Sequence, residues 1–389
     1  MTFDPLTMEG GAEATAAELR TLIPPSEAVS GAVAEILSRV RLEGDLALRQ
    51  LIERYDTEGR PAPPLRASED ELARAERALD PAVAAAMRTA FQNVVEVARS
   101  GVTVEPATAT DRDGRQVLLR EEPLHRAAVY VPGGRAPYPS TVVMGVAAAR
   151  AAGVGEVVVC SPPCPASEGR AAGVDEVILG ACRLTGASEV YRMGGAHAIG
   201  ALAYGTETVR PVDMIVGPGN AYVQEAKHQV SSSVGIDGFA GPSDLMVIVE
   251  HDVSDLEPIA LDLLAQAEHG AGTLSIGVST STAVLGQLRI RLEGESVSGA
   301  VIRLVHAPTS DAALALAEAF APEHLQLAGA EAEALAPRVT RAGCLFVGPQ
   351  SGTAFGDYIV GSNHVLPTNG TGRFASGLSA LQFRRRFAQ

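Results

Sequence analysis

The chain has 389 residues, 46% hydrophobic and 20% charged, which reads as an ordinary globular protein of two or three domains, each with its own core. A net charge of −15 and a pI near 5.0 argue against nucleic acid or an anionic membrane surface as the main partner. With no tryptophan and 4% aromatic residues, the cores have to be built from Ala, Val, Leu and Ile.

The opening stretch MTFDPLTMEGGAEATAAEL has neither a basic nor an apolar signal region, so secretion is not expected. No apolar run approaches the roughly 20 residues of a membrane span. Val29 to Leu42 carries apolar residues at helical spacing, and Gly44-Asp45 is expected to stop that helix and cap the next. Ser68 with Glu71 forms a capping-box pattern, and Asp80-Pro81 reads as an N-cap with proline in the first helical position. The helix after it runs to Ser100, and Pro61 to Pro64 is a loop.

Beyond residue 115 the pattern changes. Strands are predicted over 116–122 and 127–131, then a helix over 141–152, a strand over 156–160, a helix over 173–185 and a strand over 189–193. AAGVGEVVVC and LTGASEVYRM repeat one phrase of helix end, glycine, acidic residue and apolar strand. Such αβ repeats imply right-handed crossovers and a parallel sheet. After Gly241 a second series places strands over 245–249, 274–278, 303–306, 325–327 and 344–347, with helices over 256–268, 283–292 and 311–320. The glycine-rich stretch 348–377 shows little periodicity, and so long a loop is usually functional. Arg384-Arg385-Arg386 reads as a solvated helix end.

The four cysteines, Cys160, Cys164, Cys182 and Cys344, lack the second matched pair of a zinc knuckle and read as reduced thiols, which suits the cytoplasm. His125, His251 and His306 stand singly and read as structural. Other histidines lie in denser company. Gln266 and His269 sit at i and i+3 near a helix end, able to point at one ion, with Gly270 ending the helix. Pro322-Glu323-His324 places a carboxylate beside an imidazole between helix and strand, at a sheet edge, where open α/β sheets usually hold their sites. An imidazole there suits proton transfer at neutral pH. Asp357 and His364 share a glycine-flanked loop, and one imidazole, one carboxylate and one amide would form a zinc shell with room for substrate. Gly217-Pro-Gly-Asn220 opens a helix whose free N–H groups favour an anion such as a cofactor pyrophosphate, and Tyr130-Val-Pro-Gly133-Gly134 makes a similar strand-to-turn edge. A G-x-G-x-x-G fingerprint is absent, so any dinucleotide has to bind in another way.

Together these segments resemble the histidinol dehydrogenase family. The matching stretches run in family order over nearly the whole chain: YVPGG (130–134), GGAHAI (194–199), GPGNAYVQEAK (217–227), AGPSDL (240–245), AQAEHG (265–270), PEHL (322–325) and GDYIVGSNHVLPT (356–368). The early helices carry the family's Val-Arg…Gly-Asp…Ala-Leu phrase over 40–48. The resemblance implies an α/β fold of two incomplete Rossmann-like domains with parallel sheets, one inserted in the other, beside a helical N-terminal region, in a homodimer with exchanged arms. It divides the chain into an arm over 1–22, a catalytic and zinc domain over 23–127 and 236–380, an inserted NAD-contacting domain over 128–235 and a tail over 381–389. The implied reaction takes L-histidinol through bound histidinaldehyde to L-histidine with two NAD. Glu323 and His324 match the acid/base pair, His324 taking the hydroxyl proton and Glu323 activating water. Gln266, His269 and Asp357 match zinc ligands, and Ser243, Gln266, His269, His324 and Asp357 match substrate contacts, to which His364 is added. Tyr130 and Asn220 match NAD contacts, as does position 197.

Two departures stand out. Position 197 is His where the family usually has Gln, although imidazole can still donate a hydrogen bond. The chain stops at LQFRRRFAQ, where the family continues into a helical segment that supplies a fourth zinc ligand and a substrate-contacting Glu. Three readings follow: a working histidinol dehydrogenase with water or His364 in the fourth zinc place, a relative acting on another polar alcohol, and a non-catalytic family member.

Overall fold

The structure is a computed structural model that describes residues 4–23, 29–102, 107–133, 137–164, 173–239, 241–270, 272–295 and 299–389. Gly134 and Ala240, both in motifs quoted above, lie outside them. The chain divides into two compact units. The first holds residues 1–26, 238–356 and 366–377, and the second holds 27–237, 357–365 and 378–389.

The first unit is a parallel sheet whose five longer strands were read from their apolar runs, while the short edge strand Leu6–Thr7 was missed. Asp244–Val249 lies between Leu274–Ser279 and His324–Ala328, with Val301–His306 and Leu6–Thr7 beyond one side and Cys344–Val347 beyond the other. All six residues of Asp244–Val249 are buried, as expected of a strand covered on both faces. Period-two alternation sends Leu245, Val247 and Val249 to one face, against the helices Glu257–Ala267 and Thr282–Leu292. Met246 and Ile248 go to the other, where Gly11–Thr21 and Ser310–Phe320 pack. Each such side chain contributes about 1.5–3 kcal/mol when fully buried.

The second unit has a five-stranded parallel sheet in the order Glu189–Arg192, Glu156–Ser161, Arg126–Tyr130, Met214–Val216, Gly235–Ile236. Ala128, Tyr130, Val158 and Cys160 face the helices Ser30–Glu43, Asp45–Tyr55, Gly195–Tyr204 and Ala221–Val230. Ala127, Val129, Val157 and Val159 face Pro139–Ala152 and Glu176–Thr185. Glu69–Ala78, opened by the Ser68–Glu71 capping box, packs on that side, while Asp80 caps Pro81–Ser100. The helices of residues 30–100, assigned above to the catalytic domain, therefore belong to this unit. Their amphipathic faces cover a sheet that follows them in the chain.

Three local expectations are corrected. Gly44 stops its helix at φ 56°, but Asp45 does not cap the next one. Its carboxylate instead accepts from the hydroxyls of Thr206 and Thr208. A strand missed in the sequence, Ala107–Arg112, forms a small antiparallel sheet with Arg115–Pro123. Arg384–Ala388 is the third strand of that sheet, not a helix end. Arg384 donates to the carbonyls of Ala152 and Glu121, and Arg386 pairs with the Glu121 carboxylate. Just before it, Phe383 is fully buried in the core of the second unit.

Residues 381–389 thus act as structure, not as a loose tail. Phe383→Ala is expected to destabilise the protein by about 3–5 kcal/mol, read by urea or thermal unfolding. A change below about 1 kcal/mol would contradict this placement.

Candidate active site at the amino ends of the first sheet

The helix Ser310–Phe320 ends on Ala321, which takes a left-handed conformation at φ 49° directly before Pro322. A non-glycine residue there costs about 1 kcal/mol, and the proline bars any continuation of the helix. This turn brings Glu323 to the first residue of the next strand, His324. His324 pairs in register with Leu245, so the segments Ser243-Asp244 and Glu323-His324 lie side by side at the amino ends of their strands.

The two dipeptides interlock. The Glu323 peptide N–H donates to the Asp244 carboxylate at 2.7 Å. The Glu323 carboxylate accepts from the Ser243 hydroxyl at 2.5 Å and from the Asp244 N–H at 3.2 Å. The His324 Nδ1 lies 3.2 Å from the Asp244 carbonyl oxygen. A carbonyl can only accept, so Nδ1 carries the proton and Nε2 carries the lone pair. The Gln266 amide donates to the Ser243 hydroxyl at 2.5 Å, extending the chain of bonds to the helix Glu257–Ala267. Glu323, His324 and Gln266 are all buried.

Four of the expected site residues are therefore joined by hydrogen bonds: Ser243, Gln266, Glu323 and His324. His269 is exposed and follows the end of its helix, which stops at Ala267, so the shared helical face expected for it is replaced by a turn. Its Nδ1 lies 3.0 Å from the Gln266 carbonyl, which leaves Nε2 as the donor atom for a metal. With the Gln266 NH2 committed to Ser243, the carboxamide oxygen is the atom left for a cation. Asp357, at the end of the short helix Thr353–Tyr358, and the half-buried His364 belong to the second unit. Among the described residues no three His, Cys, Asp or Glu side chains gather as a metal group. The expected set contains only two of those residue types' side chains beside a glutamine.

Asp244 was given no role in the sequence reading, although it stands in the AGPSDL stretch and opens an otherwise apolar strand. Its carboxyl is pushed up to about 7, first by burial and then by the Glu323 carboxylate, against the opposing pull of the Glu323 N–H, Arg20 and His324. An ordinary aspartate titrates near 3.9, so this group binds a proton more tightly when folded. Its contribution to stability is full below about pH 4 and is lost as pH rises through 7. Asp244→Asn should therefore gain thermal stability relative to the parent between pH 4.5 and pH 8, by at least ~2 °C. A difference independent of pH would contradict the assignment.

In the second unit the expected cofactor residues sit at carboxyl ends of strands. Tyr130 ends Arg126–Tyr130, Gly194-Gly195 follow Glu189–Arg192, and Gly217 to Asn220 follow Met214–Val216. The sheet order reverses between Arg126–Tyr130 and Met214–Val216, a topological switch point of the kind where open α/β sheets bind ligands. Gly217 has φ 115°, and a Cβ there would stand 2.1 Å from the Tyr130 carbonyl oxygen. Buried Lys227 donates to the Gly217 carbonyl at 3.1 Å and pairs with Asp237, which accepts the Gly217 N–H at 2.7 Å. That clamp was not read from the sequence. The Tyr130 hydroxyl accepts from the Gly195 N–H at 3.1 Å, and Asn220 caps the helix after it. His197 is buried with Nε2 3.0 Å from the Asp56 carboxylate, which also accepts the Gly194 N–H.

A parallel α/β sheet that holds a buried carboxylate beside an imidazole, in a chain with a second parallel sheet, is of the Rossmann-like α/β class. The histidinol dehydrogenase family model matches residues 24–389. A protein of Rhodospirillum rubrum described as histidinol dehydrogenase is 43% identical over 98% of this chain and 90% of its own length. One from Rhizobium meliloti is 40% identical over 95% of this chain and 86% of its own. The crystal structure of histidinol dehydrogenase from Elizabethkingia anophelis superimposes with a TM-score of 0.88 at 30% identity, covering 96% of this chain and 88% of that one. The chain belongs to the histidinol dehydrogenase family, and is thereby an oxidoreductase of the NAD-linked dehydrogenase type. No helix among the described residues is long and apolar enough to cross a membrane.

Proposed function

We propose that this chain oxidises L-histidinol to L-histidine through bound histidinaldehyde, reducing two NAD, in the last step of histidine biosynthesis. The observation that carries the reading is the commitment of His324 Nδ1 to the Asp244 carbonyl, which makes Nε2 the basic atom of an imidazole whose Nδ1 lies 3.8 Å from the Glu323 carboxylate. His324 Nε2 takes the proton of the substrate hydroxyl as the carbinol hydrogen leaves as hydride. Glu323, held by the Ser243 hydroxyl and the Asp244 N–H, takes the proton of the water that adds to the aldehyde, and the resulting hydrate gives up the second hydride. The cofactor supplies only hydride acceptance, and the switch-point turns with Tyr130, His197 and Asn220 are proposed to hold it.

Gln266, His269 and Asp357 are proposed to hold one zinc. The free lone pair of His269 Nε2 and the free carboxamide oxygen of Gln266 suit a borderline cation. When bound, the ion supplies positive charge for holding the substrate's imidazole and amine. Ser243, Gln266, His269, His324, Asp357 and His364 are the proposed substrate contacts. The protein is further proposed to be a cytoplasmic homodimer without nucleic-acid or membrane partners. Its acidic charge and the exposed apolar run of Phe355, Tyr358, Ile359 and Val360 support this.

Purified protein with zinc, NAD and L-histidinol should form two NADH per histidinol, and chelation should abolish turnover until zinc is restored. Glu323→Gln should slow the overall reaction roughly 10²–10⁴-fold while sparing the first hydride transfer, so that aldehyde accumulates. No turnover at any zinc level, or a higher kcat/KM with another polar alcohol, would overturn the reading.

A further inference from the structure

We propose that Asp244 is a positioning residue for the acid/base pair, a buried carboxyl that fixes the Glu323 peptide and, when ionised, sets a second negative charge close to His324. The inference rests on the reading of Glu323-His324 as the acid/base pair. Asp244 is fully buried, and one of its oxygens accepts the Glu323 N–H at 2.7 Å. The other oxygen is buried without a hydrogen-bond partner. Anchoring a peptide N–H needs only a neutral acceptor, and asparagine would supply one. Burying a carboxyl beside a second carboxylate is costly, so a group kept there that still ionises near neutral pH calls for a use.

The groups facing Asp244 fit that use. From its neighbouring strand come Glu323 and His324, and from the helix Gly11–Thr21 comes Arg20. Arg20 is itself held by the Phe320 carbonyl and by Asn369, lies 4.2 Å over the Phe320 ring, and has Arg373 nearby. The adjoining strand Leu274–Ser279 offers no titratable side chain. The Asp244 carbonyl orients the His324 ring while its carboxyl, titrating near neutrality, favours the imidazolium that forms when Nε2 accepts a proton. One residue thus sets both the direction and the basicity of the base.

Asp244→Asn keeps an oxygen for the Glu323 N–H and removes the charge. Two readouts separate this from a purely structural role: the NMR titration of the His324 imidazole in protein free of metal and cofactor, and the acid limb of kcat against pH. In Asp244→Asn both midpoints should fall by about half a pH unit or more, with KM for histidinol within about twofold. Asp244→Ala, which also loses the anchor, should lower kcat by about tenfold or more. If Asp244→Asn folds and leaves both midpoints within ~0.1 unit of the parent, the proposal is wrong. His324→Gln separates the underlying reading. Should that variant keep its turnover and its acid limb, His324 is not the base. Should it lose them while Asp244→Asn shifts nothing, only the positioning role falls.

Discussion

The reciprocal hydrogen bonding of two dipeptides at neighbouring strand starts, Ser243-Asp244 and Glu323-His324, is the constraint on which the proposed chemistry depends. Parallel pairing fixes their register to within one residue, and a slip of one residue would turn every side chain to the opposite face. The Glu323 backbone is held on both sides, its N–H by Asp244 and its carbonyl by the Cys344 N–H at 2.9 Å. Gly343 is needed for that approach, since a Cβ there would stand 2.6 Å from the Glu323 carbonyl oxygen. Rigid backbone on both sides is what lets two short side chains act as a directed pair.

The two sheets put their polar edges at opposite ends. In the second unit the glycine turns lie at carboxyl ends and at a switch point, as open α/β sheets ordinarily arrange a ligand site. In the first unit the proposed acid/base pair lies at amino ends. Its own switch point, between Asp244–Val249 and His324–Ala328, opens at the carboxyl ends on a cavity of about 300 Å³. Asp252, Asp255 and Glu333 line it, and the backbone N–H groups there are already used: Ala330 donates to Asp252 and Gly329 to Glu333. Negative charge and spent donors make that crevice unsuited to a pyrophosphate.

Much of this was legible in the sequence where the signal is local. The Ser68–Glu71 box, the Asp80-Pro81 start and the all-apolar strands were readable because a few adjacent residues determine each. Glu323 and His324 gained weight from ordered motifs elsewhere in the chain. What was not legible depends on pairing at a distance. An amphipathic stripe on Ser30–Glu43 does not say which sheet it will cover. Three arginines at 384–386 show no period until they pair with Arg115–Pro123. The amino-end location of the site needed the sheet order, and the role of Asp244 needed to know what stands beside the start of its strand.

A helix forced to stop at Ala321-Pro322, a strand that opens on an acid, and a serine hydroxyl bonded to both Gln266 and Glu323 together form one site whose parts come from three separate segments. Its most direct test is a crystal structure of the protein with zinc, NAD and histidinol. The substrate hydroxyl should lie within about 3.2 Å of His324 Nε2, at the amino ends of the first sheet. A substrate bound at the carboxyl ends of that sheet, with its hydroxyl away from both His324 and Glu323, would contradict the account.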